Sequence, residues 1–294
     1  MDHLIPKLER EERRRRRRLL FRHNKIPVRL LIPNMFTVLS LCAGLTAIRM
    51  AIELRFEMAI ALVVVAAFLD GIDGRVARAL KAQSKFGAEL DSLADFVNFG
   101  VAPSVIVFIW GLGPLKGPGW ITSLAFALAL GLRLARFNTM IDIERPKWQA
   151  NYFTGMPAPA CAITVLLPLY IDFLGIIDVR QWPALVALYM LAIGTLAVST
   201  VPTFSGKLLG ERIPREFVLP VFLLVAATVG FLVTYPYGTL TLLTLIYLAT
   251  IPMSYRRYAR RMQEPVADVF RAPEGDHLPG DAPLDKMPAG ETKH

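Results

Sequence analysis

The stretch that decides the fold runs from Glu57 to Leu80 and reads EMAIALVVVAAFLDGIDGRVARAL. It is almost entirely apolar up to Leu69, and two aspartates, Asp70 and Asp73, follow. A helix needs about 20 mostly apolar residues to cross the hydrocarbon core of a bilayer. A carboxylate within such a helix costs about 2.5–3.5 kcal/mol at its centre, so its presence indicates function. The stretch therefore predicts a membrane-spanning helix that carries part of a polar site.

Similar apolar segments recur along the chain, whose 294 residues are 54% hydrophobic with a mean hydropathy of +0.45. This composition exceeds that of an ordinary soluble domain. We predict an all-α polytopic membrane helix bundle of about eight transmembrane helices, with a basic juxtamembrane segment at its N-terminus. Because only residues 235–238 separate the last two segments, six or seven spans stay open. The predicted spans are 31–52, 57–80, 89–112, 119–138, 156–176, 183–203, 216–235 and 237–254.

Polar segments flank the predicted bundle. Residues 1–27 are expected to form a basic cytoplasmic segment, and residues 28–255 a transmembrane domain. Residues 256–294 are predicted to be a disordered cytoplasmic tail, since Pro, Gly, Asp and Glu with few large apolar groups bury too little surface to offset the entropy of ordering. A cleavable signal peptide does not fit the long basic stretch and long first span, so that span is expected to remain.

Six consecutive arginines, Arg13 to Arg18, contribute much of the formal net charge of +9. Such an arm could bind nucleic acid, but this one leads directly into the first predicted span. Lys and Arg clusters at that position hold anionic lipid headgroups, at roughly 1 kcal/mol per charge. We therefore expect anionic headgroups as the partner of this run, and no nucleic acid.

The distribution of Lys and Arg predicts the orientation, because positively charged loops stay in the cytoplasm. With eight spans, both termini and the polar ends of spans two and three face the cytoplasm of an integral cell (inner) membrane protein. The opposite side receives only Arg49, Arg55, Lys116 and Arg180. The cytoplasmic side receives the Arg13–Arg18 run, Lys81, Lys85, Arg145, Lys147, Lys207, Arg212, Arg215, Arg256, Arg257, Arg260 and Arg261.

Acidic and small residues repeat at helical spacing in two segments joined by a short loop near residues 81–85. Facing carboxylates repel unless they are protonated or neutralised, and oxygen ligands select Mg²⁺, Mn²⁺ or Ca²⁺. Glycine and alanine on the same faces allow a sugar and phosphates to approach, or simply let helices pack. The acids could instead be solvated helix ends or ion pairs with Arg75 and Arg78. The repeating residues are Asp70, Asp73, Gly74 and Ala77, then Gly87, Asp91 and Asp95.

The pattern D-x2-D-G-x2-A-R-x8-G-x3-D-x3-D is matched at every fixed position from Asp70 to Asp95. It resembles the signature of the CDP-alcohol phosphotransferase family. The resemblance implies two divalent cations, Mg²⁺ or Mn²⁺, with Asp70, Asp73 and Asp91 as ligands. It implies that Asp95 is both a ligand and the general base, and that the protein forms a homodimer.

The same resemblance implies a binding site for the CDP part of a lipid donor. Gly74 and Arg78 match the nucleotide contacts of the family, and Ser84 stands where family members use a small hydroxyl residue. Asn34 and Thr37, in Ile-Pro-Asn-Met-Phe-Thr, resemble a phosphate-contacting segment at the start of the first span. The expected CDP-binding residues are therefore Asn34, Thr37, Gly74, Ala77, Arg78, Ser84 and Gly87.

The acceptor alcohol requires other evidence, because the family uses glycerol phosphate, inositol, serine, and choline or ethanolamine. Arg133 and Arg136 stand one helical turn apart and could hold an anionic group, or could anchor the span at the membrane surface. Their segment RLARFN, with FTGMPAPA at 153–160 and VPTFSGK at 201–207, resembles membrane phosphatidylserine synthases. This implies CDP-diacylglycerol and L-serine as substrates, phosphatidylserine and CMP as products, and Arg133, Arg136 and Lys207 as candidates to bind serine.

Two other classes of protein stay in view. An ion-coupled transporter also carries acids within its spans, but the chain lacks an inverted repeat or a matched pair of broken helices. A structural membrane scaffold would leave the matched motif unexplained. Cys42 and Cys161 lie in apolar stretches and are interpreted as small core residues rather than a disulfide or metal pair.

Overall fold

The computed structural model of the protein describes residues 28–140, 152–204 and 215–263. The arginine run, Arg145, Lys147, Lys207 and Arg212 lie outside these residues. The helices of the first described range are α1 (Val28–Ile52), α2 (Phe56–Ala79), α3 (Lys85–Asp95), α4 (Ala102–Val107) and α5 (Gly117–Thr139). Later elements are β1 (Tyr152–Thr154), α6 (Ala158–Val165), α7 (Leu167–Phe173), α8 (Pro183–Val198), β2 (Pro202–Phe204), α9 (Arg215–Thr234) and α10 (Pro236–Gln263).

The prediction of an all-α membrane bundle is confirmed. Within the described ranges, five helical stretches are long and apolar enough to cross a membrane, and two further apolar stretches are shorter. α2 is of spanning length as well, and its C-terminal end carries Asp70 and Asp73. The five stretches are Leu31–Ile52, Lys85–Leu115, Gly117–Thr139, Phe217–Thr234 and Pro236–Ala259; the shorter ones are Ala158–Phe173 and Pro183–Val198.

The third span differs from its predicted bounds, 89–112, at the N-terminal end. α3 begins at Lys85 because the Ser84 hydroxyl accepts a hydrogen bond from the Gly87 N–H (3.0 Å) and caps the helix. Directly after Asp95 the helix widens into a π-helical turn, Phe96–Val101, which leads into α4. A second π-helical turn, Phe108–Leu112, follows α4. Such turns are rare and occur frequently at functional sites.

Two other predicted spans are interrupted. The segment 156–176 is broken at Leu166, because Pro168 has no N–H to donate to the carbonyl of the preceding turn. The segment 183–203 is helical only to Val198, since Val201 precedes Pro202 and is thereby disfavoured from helical geometry. Residues 202–204 instead form β2, an unpredicted strand that pairs antiparallel with β1.

At the C-terminal end, α10 includes residues 256–263, which were predicted to belong to the disordered tail. That prediction was wrong for these residues, because their Arg, Ala, Met and Gln side chains favour helix despite their polarity.

The last two helices, α9 and α10, are separated by Tyr235 alone. This residue lies within residues 235–238, where the sequence predicts the boundary between the last two spans. None of the residues Phe217–Thr234 is buried, as expected of a helix surrounded by lipid.

The contact between α1 and α2 is the most extensive pairing among the described helices. Small side chains line it, including the fully buried Ala47, Ala51 and Ala59. Small residues let membrane helices approach closely, which increases van der Waals contact. The third span packs against α1 from the other side, and α5 packs along α8. This packing brings the end of α2 and the start of α3 beside α1.

A buried polar contact fixes the third span against α1. Asn98, in the first π-helical turn, donates its Nδ2–H to Ser40 Oγ (2.8 Å), and Ser40 donates to the Ala66 carbonyl (2.9 Å). Asn98 lies very close to Gly44. A Cβ at residue 44 would overlap Asn98 Oδ1 and would lie 3.2 Å from the Cα of Asn98. Gly44 is therefore required by the close approach of two helices.

We expect Gly44→Ala to destabilise the bundle by about 1–3 kcal/mol, because the added methyl group forces α1 and the third span apart. The measurement is the thermal midpoint of the purified protein in detergent. Gly230→Ala on α9 is the matched control, since a Cβ there meets nothing within 4 Å. Equal midpoints for the two variants would contradict the close approach.

Candidate active site

Three of the predicted metal ligands converge where α2 meets the third span. Asp70, Asp91 and Asp95 each contribute one carboxylate oxygen to a group whose atoms all lie within 4.8 Å of one another. We call this group the carboxylate cluster. The i, i+4 spacing of Asp91 and Asp95 places both on one face of α3, towards Asp70 on α2.

The cluster has the chemistry of a divalent-cation site. Oδ1 of Asp91 and Oδ1 of Asp95 are buried and have no hydrogen-bond partner among the residues that the structure describes. The carboxyls of Asp70 and Asp95 also contact each other, which two ionised groups do only at a high electrostatic cost. Oxygen ligands of this kind suit Mg²⁺, Mn²⁺ or Ca²⁺. The three residues therefore fit a hard divalent cation, which would satisfy the two buried oxygens.

The fourth predicted ligand, Asp73, is not a member of the carboxylate cluster, which among the described residues consists of Asp70, Asp91 and Asp95. Its Oδ2 accepts a hydrogen bond from the Thr37 hydroxyl of α1 (2.9 Å), and both side chains are buried. Thr37 was predicted to contact a phosphate; in the structure its hydroxyl contacts Asp73. A neighbour that orients a ligand in this way commonly strengthens metal binding.

We expect Thr37→Val to weaken Mn²⁺ binding about 10- to 100-fold, the usual cost of removing a group that orients a metal ligand. Valine keeps the shape of threonine but removes the hydroxyl that donates to Asp73 Oδ2. Titration of the purified protein with Mn²⁺, followed by electron paramagnetic resonance, measures the affinity. Thr46→Val is the control on the same helix, because that exposed hydroxyl bonds only to the carbonyl of Cys42. Equal affinities in both variants would refute the role of Thr37.

A pocket of about 300 Å³ adjoins the cluster. We call it the nucleotide pocket, because the residues that the family resemblance predicts to bind CDP line it. Asp73 and Asp91 form part of its wall, so it reaches two predicted metal ligands. The structure brings all seven predicted CDP-binding residues together on this wall: Asn34, Thr37, Gly74, Ala77, Arg78, Ser84 and Gly87.

Small residues keep the nucleotide pocket open. A Cβ at Gly87 would lie 2.8 Å from Asn34 Oδ1 and 3.1 Å from Ser84 Oγ, so any larger side chain would displace these polar groups. At Gly74 a Cβ would have only Arg78 Nη1 nearby, at 3.8 Å. The wall thus combines accessible backbone, hydroxyl and amide groups with one exposed guanidinium, a set of groups able to contact phosphates.

The two predicted serine-binding arginines are partly committed to the protein backbone. Arg133 donates its Nε–H to the Met156 carbonyl, and Arg136 donates from Nη1 to the Val198 carbonyl. These bonds tie α5 to the segments beside β1 and β2. Arg133 is also close enough to Asp95 for electrostatic attraction. The third candidate, Lys207, lies outside the described residues.

The turn that carries Met156 depends on a glycine, Gly155. Gly155 has a φ of 76°, and a Cβ there would lie 2.9 Å from the Ser199 carbonyl oxygen. Its own carbonyl accepts a hydrogen bond from the buried Thr203 hydroxyl (2.8 Å). Glycine therefore lets the end of β1, beside the Met156 carbonyl that binds Arg133, pass close to the end of α8, where Arg136 is bound.

Sequence reasoning missed two groups that support the site. Ser40 and Asn98 hold the π-helical turn next to Asp95 against α1, and neither was singled out. The sequence signal that could have identified them is a polar side chain inside each of two predicted spans, 31–52 and 89–112. Ser92 was also missed; it accepts a hydrogen bond from Asn138 Nδ2 (2.9 Å), which joins α3 to α5 beside Asp91.

Comparison with known proteins identifies a family and several similar proteins. A family model described as CDP-alcohol phosphatidyltransferase matches residues 30–251. A CDP-diacylglycerol–serine O-phosphatidyltransferase of Mycobacterium bovis is 39% identical over 241 residues, which cover 80% of this chain and 82% of that protein. A protein of the same name from Mycobacterium leprae is 40% identical over 229 residues, covering 76% of this chain and 74% of that one.

A third similar protein comes from a more distant bacterium. The CDP-diacylglycerol–serine O-phosphatidyltransferase of Bacillus subtilis is 37% identical over 136 residues, which cover 46% of this chain and 73% of that protein. The family match includes α1, α2, the third span and α5, and so all four aspartates of the motif. With its carboxylate cluster and nucleotide pocket in that matched region, the chain belongs to the CDP-alcohol phosphatidyltransferase family.

Proposed function

We propose that this membrane-integral enzyme transfers the phosphatidyl group of CDP-diacylglycerol to the hydroxyl of L-serine, giving phosphatidylserine and CMP. The observation that carries the proposal is that Asp91 belongs both to the carboxylate cluster and to the wall of the nucleotide pocket. A nucleotide bound in that pocket would have its phosphates beside the acidic groups. The relatives named as serine O-phosphatidyltransferases support serine as the acceptor.

Four aspartates would hold two divalent cations, Mg²⁺ or Mn²⁺. Asp70, Asp91 and Asp95 form the carboxylate cluster, and Asp73 completes the set from the pocket wall. Bound cations would stabilise negative charge on the phosphoryl oxygens and on the departing CMP. Thr37 fixes the orientation of Asp73, and the Ser40–Asn98 contact holds the turn that follows Asp95.

The protein's own residues would bind the donor and activate the acceptor. Arg78 and the small residues of the nucleotide pocket position the CDP group. Asp95 accepts the proton of the serine hydroxyl, and the serine oxygen forms a bond to the β-phosphorus. The bond from that phosphorus to the oxygen of the α-phosphate breaks, and CMP leaves with the electron pair.

Arg133 is the best-placed group for the carboxylate of serine. It is partly buried near Asp95 and the Met156 carbonyl. Its hydrogen bond to that carbonyl is made by Nε–H and does not involve the terminal N–H groups of the guanidinium. Guanidinium binds a carboxylate through two parallel hydrogen bonds, which an ammonium group cannot reproduce. Arg136 and Lys207 remain candidates for the same role.

We expect Arg133→Lys to raise the KM for serine about 10- to 100-fold, equivalent to about 1.4–2.8 kcal/mol, while the KM for CDP-diacylglycerol stays unchanged. Steady-state kinetics with each substrate varied in turn measures the two constants. Arg49→Lys is the control, since that exposed arginine pairs with Glu53 at the opposite end of α1. Equal increases in both KM values would indicate general damage to the fold instead of a serine contact.

The experiment that tests the function compares acceptors. Purified protein in mixed micelles with CDP-diacylglycerol and Mg²⁺ or Mn²⁺ is given serine, glycerol phosphate, inositol or choline, and CMP release is measured. We expect release to depend on serine. Release with another acceptor and not with serine would overturn the acceptor assignment, and release with none of them would favour a transporter.

The proposal extends to the arrangement of the protein in the membrane. Residues 28–255 would form the catalytic transmembrane domain of a cell (inner) membrane protein, with the carboxylate cluster and both termini on the cytoplasmic side. The arginine run of residues 13–18 would bind anionic headgroups there, and two copies would form a homodimer. The distribution of Lys and Arg supports the orientation, and family membership supports the dimer.

A further inference from the structure

A second pocket lies at the N-terminal end of α2, away from the carboxylate cluster. Its volume is about 720 Å³. We call it the distal pocket. From Phe56, in the wall of this pocket, to Asp70, α2 extends about 21 Å at a rise of 1.5 Å per residue. The hydrocarbon core of a bilayer is about 30 Å thick, so the distal pocket lies towards the membrane surface that is farther from the cluster.

Two of the four cationic residues predicted on that side of the membrane line the distal pocket. They are Arg55, directly before α2, and Arg180, in the 3₁₀ turn Val179–Gln181 that precedes α8. Arg49 and Lys116, the other two, are not part of its wall. Positive charge is therefore concentrated at one pocket, on the side where the sequence predicts little of it.

Aromatic rings hold Arg180 in place at the pocket. Its guanidinium carbon lies 5.5 Å from the ring centroid of Phe56 and 5.4 Å from that of Trp110, within the usual range of cation–π contacts. Its ion pair with Asp172 is long, with 3.8 Å between Nε and Oδ2. The side chain is 47% exposed. Arg180 therefore presents a guanidinium of fixed orientation whose terminal N–H groups can donate to a ligand.

The wall as a whole combines charged and apolar groups. Guanidinium groups bind a phosphate through parallel hydrogen bonds, and the backbone N–H groups that begin α2 add positive potential, since the N-cap residue Arg55 makes no side-chain cap. Glu57, exposed in the first turn of α2, provides a negative group. Met58, Ile109 and Phe173 supply apolar surface beside these charges. This combination fits a ligand with a phosphate, an ammonium group and hydrocarbon.

We propose that the distal pocket binds a phospholipid of the leaflet farther from the carboxylate cluster, with a headgroup that carries both a phosphate and an ammonium. Arg55 and Arg180 bind the phosphate, and Glu57 binds the ammonium. The acyl chains pass Met58 and Ile109 into the bilayer. Because the length of α2 separates this site from the nucleotide pocket, the bound lipid is not the donor, and the proposal does not depend on the proposed reaction.

Lipid titration followed by native mass spectrometry tests the site. The full-length protein is purified in detergent, stripped of lipid and titrated with dioleoyl phosphatidylethanolamine. We expect one bound molecule per chain whose Kd rises about tenfold or more in Arg55→Gln, because the variant loses a charge-assisted hydrogen bond to the phosphate. Arg49→Gln is the matched control, since that exposed arginine pairs with Glu53 and is not part of the wall. This control should keep the wild-type Kd.

A second arginine variant examines the other side of the pocket. Arg180→Gln should weaken binding by a similar factor. It also removes the contacts with Phe56 and Trp110, so the thermal midpoint of each lipid-free variant is measured as well. If Arg180→Gln is less stable than wild type, Arg55→Gln decides the outcome, because Arg55 is exposed and contributes little to packing.

Two further compounds identify the groups that are recognised. Dioleoyl phosphatidylglycerol has the phosphate and the chains but no ammonium. We expect its Kd to be about fivefold higher than that of dioleoyl phosphatidylethanolamine in the wild type, and the two values to be similar in Glu57→Gln. Glycerophosphoethanolamine lacks the chains, and we expect it to bind at least about 100-fold more weakly than the lipid.

Several results would overturn the assignment. A Kd that is unchanged in Arg55→Gln, or raised equally in Arg49→Gln, would exclude the distal pocket as the lipid site. Equal binding of the two lipids to the wild type would exclude an ammonium contact at Glu57. Glycerophosphoethanolamine that binds as tightly as the lipid would indicate a soluble phosphodiester as the ligand. Retention of the lipid by a protein that releases no CMP would support the site and overturn only the proposed reaction.

Discussion

Asp95→Asn is expected to lower kcat for phosphatidyl transfer by about 10³-fold or more, because an amide cannot take the proton of the acceptor hydroxyl and general-base catalysis typically contributes 10²–10⁴-fold. Asparagine has the shape of aspartate, so the packing around the π-helical turn should stay intact. The same change removes one charged oxygen from the carboxylate cluster. The kcat is measured as CMP release at saturating serine and CDP-diacylglycerol.

The control for Asp95→Asn is Glu89→Gln, which removes a carboxylate from an exposed position on the same helix. This variant should retain wild-type kcat. A Mn²⁺ titration of Asp95→Asn separates the two roles of the residue: reduced kcat at saturating metal indicates loss of the base. Turnover within about tenfold of wild type would exclude Asp95 as the general base.

Removal of divalent cations is the second change with a large expected effect. Chelation with EDTA should abolish turnover, and either Mg²⁺ or Mn²⁺ should restore it. Because a bound cation would satisfy the buried oxygens of Asp91 and Asp95, its binding should also raise the thermal midpoint. At 100 times its Kd a ligand stabilises a folded protein by about 2.7 kcal/mol.

Asp91→Asn shows whether this stabilisation arises at the carboxylate cluster. The variant should be inactive, and its thermal midpoint should respond weakly to Mn²⁺, because one of the three oxygens no longer carries charge. Asp178→Asn, at an exposed turn, should keep the wild-type response. Full activity after exhaustive chelation, or an unchanged midpoint shift in Asp91→Asn, would contradict a metal centre at the cluster.

The aspartates were predictable because their spacing is strongly constrained by helix geometry. Asp91 and Asp95 recur at i and i+4, and Asp70 ends a long apolar run, so two helix faces and the loop between them determine the cluster. The seven residues expected to bind CDP were carried over from the family resemblance. Five lie in the region of the aspartate motif, and two, Asn34 and Thr37, lie at the start of the first span; the structure places all seven on one wall. Helix spacing thus accounts for the carboxylate cluster, and the resemblance accounts for the expected CDP contacts.

Features that depend on contacts between distant segments were not predictable in the same way. The apolar pattern of the sequence continues through Pro168 and towards Pro202. Hydropathy therefore predicted continuous spans at two places where the helices are interrupted. The pairing of β1 with β2 and the bonds from Arg133 to Met156 join residues far apart in sequence. The role of Thr37 likewise depends on the approach of α1 to α2, which no local pattern encodes.

The acceptor side of the site is also the less predictable side for a physical reason. A small alcohol is recognised by a few side chains on separate elements, whereas most of the proposed contacts with the cations and CDP come from one continuous motif. Arg133 and Arg136 could have been surface anchors, and their backbone bonds place them instead between α5 and the neighbouring segments. Their effect on the KM for serine therefore has to be measured.

The most direct test of the account is the transfer of labelled serine into lipid by the purified full-length protein. With CDP-diacylglycerol and Mg²⁺ or Mn²⁺, we predict one labelled phosphatidylserine for each CMP released, and neither product from Asp95→Asn. Incorporation of labelled glycerol phosphate or inositol in place of serine, or CMP release without labelled lipid, would contradict it.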